Sequence, residues 1–291
     1  MDFKLNFVII GAQKAGTTTL HEVLRKHPEI EMPEGKEHPV LNQPGMTRDR
    51  AIESLSALFS KAGRLRGKAT PQYLASEQAA QLLHAVNPDV KVIVIVRDPV
   101  ERSFSHYRMI MRRRATPLDF KADVDRWLSD EGMNAARTTT CQGPLDELPY
   151  CVAWSEYARM LEPYLEKFGR EQILFVQNDQ LKSNPQEVFR EIFEFLEVDV
   201  NWQSPDFGKV FHKGGDQPII DLKKLKRIPV LGRTLSLLFP YVPSRMKMLI
   251  NTRNIRSETK SARELYKDEA LRLDAHFADD QARLAQMMQL R

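Results

Sequence analysis

The chain has 291 residues, 42% of them hydrophobic and 28% charged, with a formal net charge of +4 at pH 7. That balance fits a globular protein long enough for one large domain or a domain plus an extension, and its mild basicity favours an anionic ligand without requiring nucleic acid. The longest apolar candidate, residues 230–250, is broken by Gly232, Arg233, Pro240, Pro243, Arg245 and Lys247. This excludes a membrane span and leaves a peripheral apolar patch open. Two cysteines, Cys141 and Cys151, are too few for a disulfide framework or a zinc site; one bridge or two free thiols both remain open. No secretory signal precedes the first strand, so a soluble, cytoplasmic protein is expected.

In chain order, Phe7 to Ile10 reads as a buried strand, and Gly11 and Gly16 bracket a short turn carrying Lys14. Thr17, Thr18 and Thr19 then lead into a helix over about 17–26 through Leu20, Val23 and Leu24. A strand, a glycine-bounded loop, a cation and a hydroxyl-rich helix start form a phosphate site: backbone N–H groups face the anion and the helix dipole favours its charge. A Walker loop places its lysine directly after the second glycine. Here Thr17 holds that position and the lysine lies inside the loop, a departure from ordinary ATPases and kinases.

His27-Pro28 ends the first helix and Pro33-Glu34-Gly35 turns the chain ahead of Lys36-Glu37-His38-Pro39. A helix near 48–61, a brief strand over 66–69 and a helix over 75–86 follow. Residues 90–96 form a nearly continuous β-branched run, the pattern of a central parallel strand covered on both faces. It runs into Arg97-Asp98-Pro99 and a helix over about 100–113 with Phe104, Tyr107 and Met111 on one stripe. Residues 115–152 lack periodicity and are read as an excursion over one face, reaching over the active site. A helix over 154–168, a buried strand at 173–176 and a helix opened by Asn184-Pro185 come next. Residues 201–257 look loop-rich, and 258–291 read as one or two helices. The basic runs Arg112-Arg113-Arg114 and Lys223-Lys224 with Lys226-Arg227 are read as solvated faces.

Alternation of strands and helices predicts an α/β fold with an open, mostly parallel central sheet flanked by helices and a helical C-terminal extension. One domain is expected: an α/β core over 1–200, a loop-rich cover over 201–257 and the C-terminal helices.

Four motifs, taken together, resemble the sulfotransferases that use 3′-phosphoadenosine-5′-phosphosulfate, especially the carbohydrate-modifying branch with the heparan sulfate enzymes and bacterial relatives. Gly11-Ala-Gln-Lys-Ala-Gly-Thr-Thr18 is similar to that family's 5′-phosphosulfate loop, and Lys36-Glu37 to its Lys-Glu stretch. Gly67-Lys-Ala-Thr-Pro-Gln-Tyr73 resembles its Thr/Ser-Pro-x-Tyr segment, and residues 97–107 resemble its 3′-phosphate signature. Ser155-x-Tyr157 and residues 173–196 match in character. Two departures stand out. The family's Pro-His and aromatic pair after the glutamate is here His38-Pro39-Val40-Leu41, and only Lys213-Gly214-Gly215 is a candidate for the later nucleotide clamp.

The resemblance implies a P-loop-like three-layer fold and sulfuryl transfer to a hydroxyl or, as the alternative, an amine, on a carbohydrate or a glycosylated or lipid-like metabolite. Adenosine 3′,5′-bisphosphate would be the second product, and no metal is implied. It places Lys14 on the leaving oxygen, and Gln13, Ala15, Gly16, Thr17, Thr18 and Thr19 around the 5′-phosphate. Arg97, Ser105 and Lys213 would hold the rest of the nucleotide. Glu37 is the expected general base, its pKa raised by burial, with His38 as the alternative. Lys68, Thr70 and Tyr73 are expected to line the acceptor site. Arg102 is expected on the outer face. The competing readings are a nucleotide-dependent kinase with a degenerate phosphate loop and a non-catalytic binder of nucleotide or sulfated glycan.

Overall fold

The structure is a computed structural model and describes residues 3–60, 64–113, 119–139, 141, 146–209, 216–218, 255–257 and 260–289. Its centre is a five-stranded sheet in the order β2-β3-β1-β4-β5, every neighbouring pair parallel. The strands are β1 (Phe7–Gly11), β2 (Ile30–Glu31), β3 (Leu65–Ala69), β4 (Lys91–Val96) and β5 (Ile173–Gln177). β1 and β4 occupy the middle, and all of β1 and five of the six residues of β4 are buried, which is why both read as unbroken apolar runs.

Helices cover both faces. They are α1 (Thr17–Leu24), α2 (Arg48–Ser56), α3 (Glu77–Val86), α4 (Pro99–Arg113), α5 (Phe120–Trp127), α6 (Asp130–Thr138), α7 (Tyr157–Leu165), α8 (Asn178–Ser183), α9 (Pro185–Leu196), α10 (Ala262–Leu265) and α11 (Lys267–Gln289). Contacts divide the chain into two units, residues 1–212 with 262–291, and residues 213–261. The second unit contains an antiparallel pair, β6 (Asp216–Pro218) with β7 (Ile255–Ser257). Lys213, the run from Lys223 to Arg227 and the apolar stretch 230–250 all lie outside the described residues.

The segment without periodicity, 115–152, contains α5 and α6. It builds a second core around α4, with Phe104, Tyr107, Phe120, Trp127 and Phe277 packed together. α11 closes this side. Its Asp280 carboxylate accepts from the N–H groups of Ala158 and Arg159 (3.1 and 3.0 Å), capping α7 from another helix. Its His276 joins Arg137 and Arg159 around the buried Glu156 carboxylate. Burial alone would raise the Glu156 pKa, but the hydrogen bonds from His276, Arg137 and Arg159 prevail and bring it down to about 2. Cys151 is buried and Cys141 half-buried. No helix among the described residues is long and apolar enough to cross a membrane.

Candidate active site

β1 delivers the chain into a loop over 12–16 and then α1. The two glycines have separate physical reasons. A Cβ on Gly11 would come within 2.7 Å of the Leu74 Cβ, so the strand end can approach its neighbour only without a side chain. Gly16 is the N-cap of α1 at φ 119°, in the left-handed region, where a Cβ would also meet Asn178 and Ile95 at 3.1 Å. Because the cap residue is glycine, it places no side-chain oxygen of its own on the first N–H groups of α1. The loop backbone is fixed at both ends: the Ala12 N–H donates to the Ile95 carbonyl (2.7 Å), and Asn178 Nδ2 to the Ala15 carbonyl (2.5 Å). Thr17 and Thr19 are buried and Thr18 is half-buried.

Lys14 sits in this loop at φ 71°, a conformation non-glycine residues seldom adopt. Arg97, at the end of β4, places its Nη1 3.5 Å from the Lys14 carbonyl oxygen. The neighbouring acids are largely engaged elsewhere. Glu101 is 3.9 Å from the Arg97 guanidinium, while its other oxygen accepts from the Ala262 N–H (2.9 Å). Asp98 is engaged by Arg263 (2.8 Å) and by the Glu101 N–H (2.8 Å). Ser105 lies half-buried two turns into α4.

Arg102 is not on the outer face. It is fully buried, with Nε donating to Ser155 Oγ (2.5 Å), Nη2 to the Cys151 carbonyl and Nη1 to the Gln13 carbonyl (3.4 Å). One turn further along α4, His106 shares a 3.0 Å bond with Glu147, and Glu147 accepts from Gln13 Nε2 at 3.2 Å. Burial drives the His106 pKa down to about 4 even though the Glu147 bond opposes it, so the imidazole is neutral near pH 7. The excursion therefore reaches the phosphate loop through one carboxylate, Glu147. The sequence reading missed Arg102, Glu147 and Asn178. Arg102 and His106 are four apart on one helical face, a polar stripe beside the Phe104 and Tyr107 stripe, and that spacing was the available signal. Glu147 lies in a proline-rich stretch that offers none.

On the acceptor side, the expected burial of Glu37 is corrected. Its side chain is 45% exposed and is held by Lys36 Nζ at 2.7 Å and by Gln72 Nε2 at 3.4 Å. His38 is half-buried, its Nδ1 has no hydrogen-bond partner, and burial, then the nearby Lys68 charge, lowers its pKa. The expected place of Lys68, Thr70 and Tyr73 on an acceptor surface is corrected too. All three are fully buried, and all three donate to the His38 carbonyl oxygen. They reach the acceptor side only through that backbone.

A glycine-bounded loop at a helix N-terminus, with a strand-end guanidinium beside it on a parallel sheet, defines an α/β protein of the P-loop-like class. Sequence comparison narrows the class: the family model "Sulfotransferase domain" matches residues 5–210. The chain belongs to the sulfotransferase family, whose co-substrate is 3′-phosphoadenosine-5′-phosphosulfate. It is 29% identical over 195 residues to the heparan sulfate glucosamine 3-O-sulfotransferase 3B1 of Mus musculus, covering 65% of this chain and 45% of that protein. It is 34% identical over 124 residues to the membrane-associated sulfotransferase kil1 of Dictyostelium discoideum, covering 40% of this chain and 26% of that protein. The chain thus spans half or less of the length of these curated relatives. Among solved structures it resembles a sulfotransferase from Alicyclobacillus acidocaldarius at TM-score 0.57 and 25% identity, covering 85% of this chain and 96% of that one.

The cytoplasmic placement expected from the sequence is overturned by these relatives, which include heparan sulfate enzymes and a protein named as membrane-associated. The expectation rested on the lack of a recognisable secretory signal, which carries no information about location.

Proposed function

We propose that the chain transfers a sulfuryl group from 3′-phosphoadenosine-5′-phosphosulfate to a hydroxyl of a saccharide. The observation that carries this reading is the 3.5 Å approach of the Arg97 guanidinium to the Lys14 carbonyl. It sets the Arg97 guanidinium beside the backbone of the loop that carries Lys14, 83 residues away in sequence, an arrangement suited to a ligand with phosphates at both its 5′ and 3′ ends. The residues present fit that ligand. The side-chain-free cap at Gly16 leaves the α1 N-terminus open to an anion. When bound, the co-substrate supplies the sulfuryl group and the bisphosphate leaving group.

In this reading the loop amides over 13–16 and the hydroxyls of Thr17, Thr18 and Thr19 hold the 5′-phosphate. Arg97 and Ser105 hold the 3′-phosphate. Lys14 stabilises the negative charge that grows beside the loop. The Gln13–Glu147–His106 chain and Arg102 keep the loop rigid from behind. Glu37 takes the acceptor proton, and its exposure opens it to an acceptor. His38 is the second candidate, favoured by its neutral imidazole and unpartnered Nδ1. The saccharide class rests on the names of the relatives.

Calorimetry tests the co-substrate. Adenosine 3′,5′-bisphosphate should bind without magnesium and ATP only weakly; preference for ATP with magnesium would turn the reading towards a kinase. Transfer of labelled sulfate to saccharide acceptors separates an enzyme from a binder. In that assay Glu37→Gln should lower turnover by about 10²-fold, the lower end of what a general base contributes, with bisphosphate affinity kept. Unchanged turnover would remove Glu37 and leave His38 as the base.

A further inference from the structure

We propose that Lys68 is a positioning residue of the acceptor side: its Nζ fixes the backbone of His38 from beneath and so sets the placement of Glu37 and His38. This rests on the reading above that one of those two residues takes the acceptor proton.

The His38 carbonyl oxygen receives three side-chain donors, Lys68 Nζ at 2.6 Å, Tyr73 OH at 3.1 Å and Thr70 Oγ1 at 3.4 Å, besides the Val40 N–H at 2.8 Å. A carbonyl oxygen has two lone pairs, so its position here is over-determined. Tyr73 fixes the same loop a second time by accepting from the Leu41 N–H at 3.2 Å. The imidazole is held from the other side, since a Cβ on Gly35 would lie 2.7 Å from His38 Cε1. Residues 35–41 are thus pinned through ring and backbone, and Lys68 makes the shortest of the hydrogen bonds.

Lys68 itself is an expensive group to keep. It is fully buried, and its hydrogen-bond acceptors are the His38 carbonyl and Thr70 Oγ1 (2.7 Å), with no carboxylate in contact among the described residues. Burial lowers its pKa to about 7 and the field of Glu37 only partly offsets this. Folding therefore favours the neutral amine: the stability it allows is complete above about pH 10.5 and is lost as pH falls towards 7. A methionine of similar length would remove that cost, so the lysine is explained by where it holds His38. β3 also links the two halves of the site. Lys68 is in register with Val8 of β1, the strand that carries the phosphate loop, so one rigid ladder places both the acceptor loop and the anion loop.

The test uses the full chain carrying Lys68→Met. Turnover should fall between about 10- and 100-fold, the usual cost of a small misplacement of reacting groups. The KM for the sulfuryl donor should stay within about twofold and Tm should be unchanged or higher, as expected when a buried amine that is costly to desolvate gives way to an apolar side chain of similar length. Tyr73→Phe, which removes a second donor to the same carbonyl, should lower turnover by a smaller factor with the same donor KM. Turnover within about twofold of the parent overturns the proposal, and so does a joint fall of turnover and Tm, which would make Lys68 purely structural. Loss of turnover in Lys68→Met beside unaffected Glu37→Gln and His38→Gln would sink the base assignment instead. Loss in Glu37→Gln beside an unaffected Lys68→Met overturns the positioning alone.

Discussion

Lys14→Ala should lower turnover by about 10³-fold while leaving the affinity for adenosine 3′,5′-bisphosphate within a few-fold of the parent. The magnitude is that of removing one preorganised group aimed at developing charge. The asymmetry follows from how the loop is held. Its backbone is anchored by Ala12 on Ile95 and by Asn178 on the Ala15 carbonyl, and neither bond involves the Lys14 side chain. Alanine at φ 71° also carries no more backbone strain than lysine does, so truncation leaves the loop in place. What disappears is the ammonium, which matters most when charge builds on the departing oxygen. Steady-state kinetics with a labelled donor and calorimetry with the bisphosphate separate the two effects. A variant that loses binding but keeps turnover at saturation would move Lys14 to ground-state binding.

Much of this centre was legible because its signals are local. The apolar runs of β1 and β4 mark strands buried on both faces, and the two glycines bracket the turn that joins β1 to α1. What stayed hidden depends on partners far along the chain. α7 begins at Tyr157 rather than near residue 154, because a short 3-10 turn over Ala153–Ser155 precedes it and its cap comes from Asp280, 122 residues away. β2 is two residues long and exists through its pairing with β3, which no periodicity reveals. α5 and α6 did carry readable caps, Asp119 and Ser129, but each helix is so short that its pattern vanished among prolines. Side-chain placement was hard to read where burial decided it. Glu37 was expected inside and is exposed; Arg102 was expected on the outer face and is buried, and Lys68, Thr70 and Tyr73, expected to line the acceptor site, are fully buried. Each of those four is buried against a hydroxyl or a backbone carbonyl, and such partners leave no mark in sequence.

Arg97→Ala should weaken binding of adenosine 3′,5′-bisphosphate between about 10²- and 10³-fold, with turnover at saturating donor reduced much less. Removing one partner of a desolvated, hydrogen-bonded charge pair costs about 2–5 kcal/mol, which corresponds to such a loss. Arg97 is placed for this task by what its neighbours do. Asp98 is taken by Arg263, and Glu101 caps α10 through the Ala262 N–H, so the acids that would neutralise the guanidinium are drawn towards the C-terminal helices. Its side chain is 24% exposed, enough to meet a ligand while most of it is out of water. Arg97→Lys should recover little, because a point charge on a flexible stem cannot reproduce the two-pronged contact of a guanidinium with a phosphate. The comparison ligand decides the assignment. Adenosine 5′-phosphate, which lacks the 3′-phosphate, should bind parent and Arg97→Ala equally, whereas equal loss with both nucleotides would mean that Arg97 serves the loop at Lys14 and not the 3′ end.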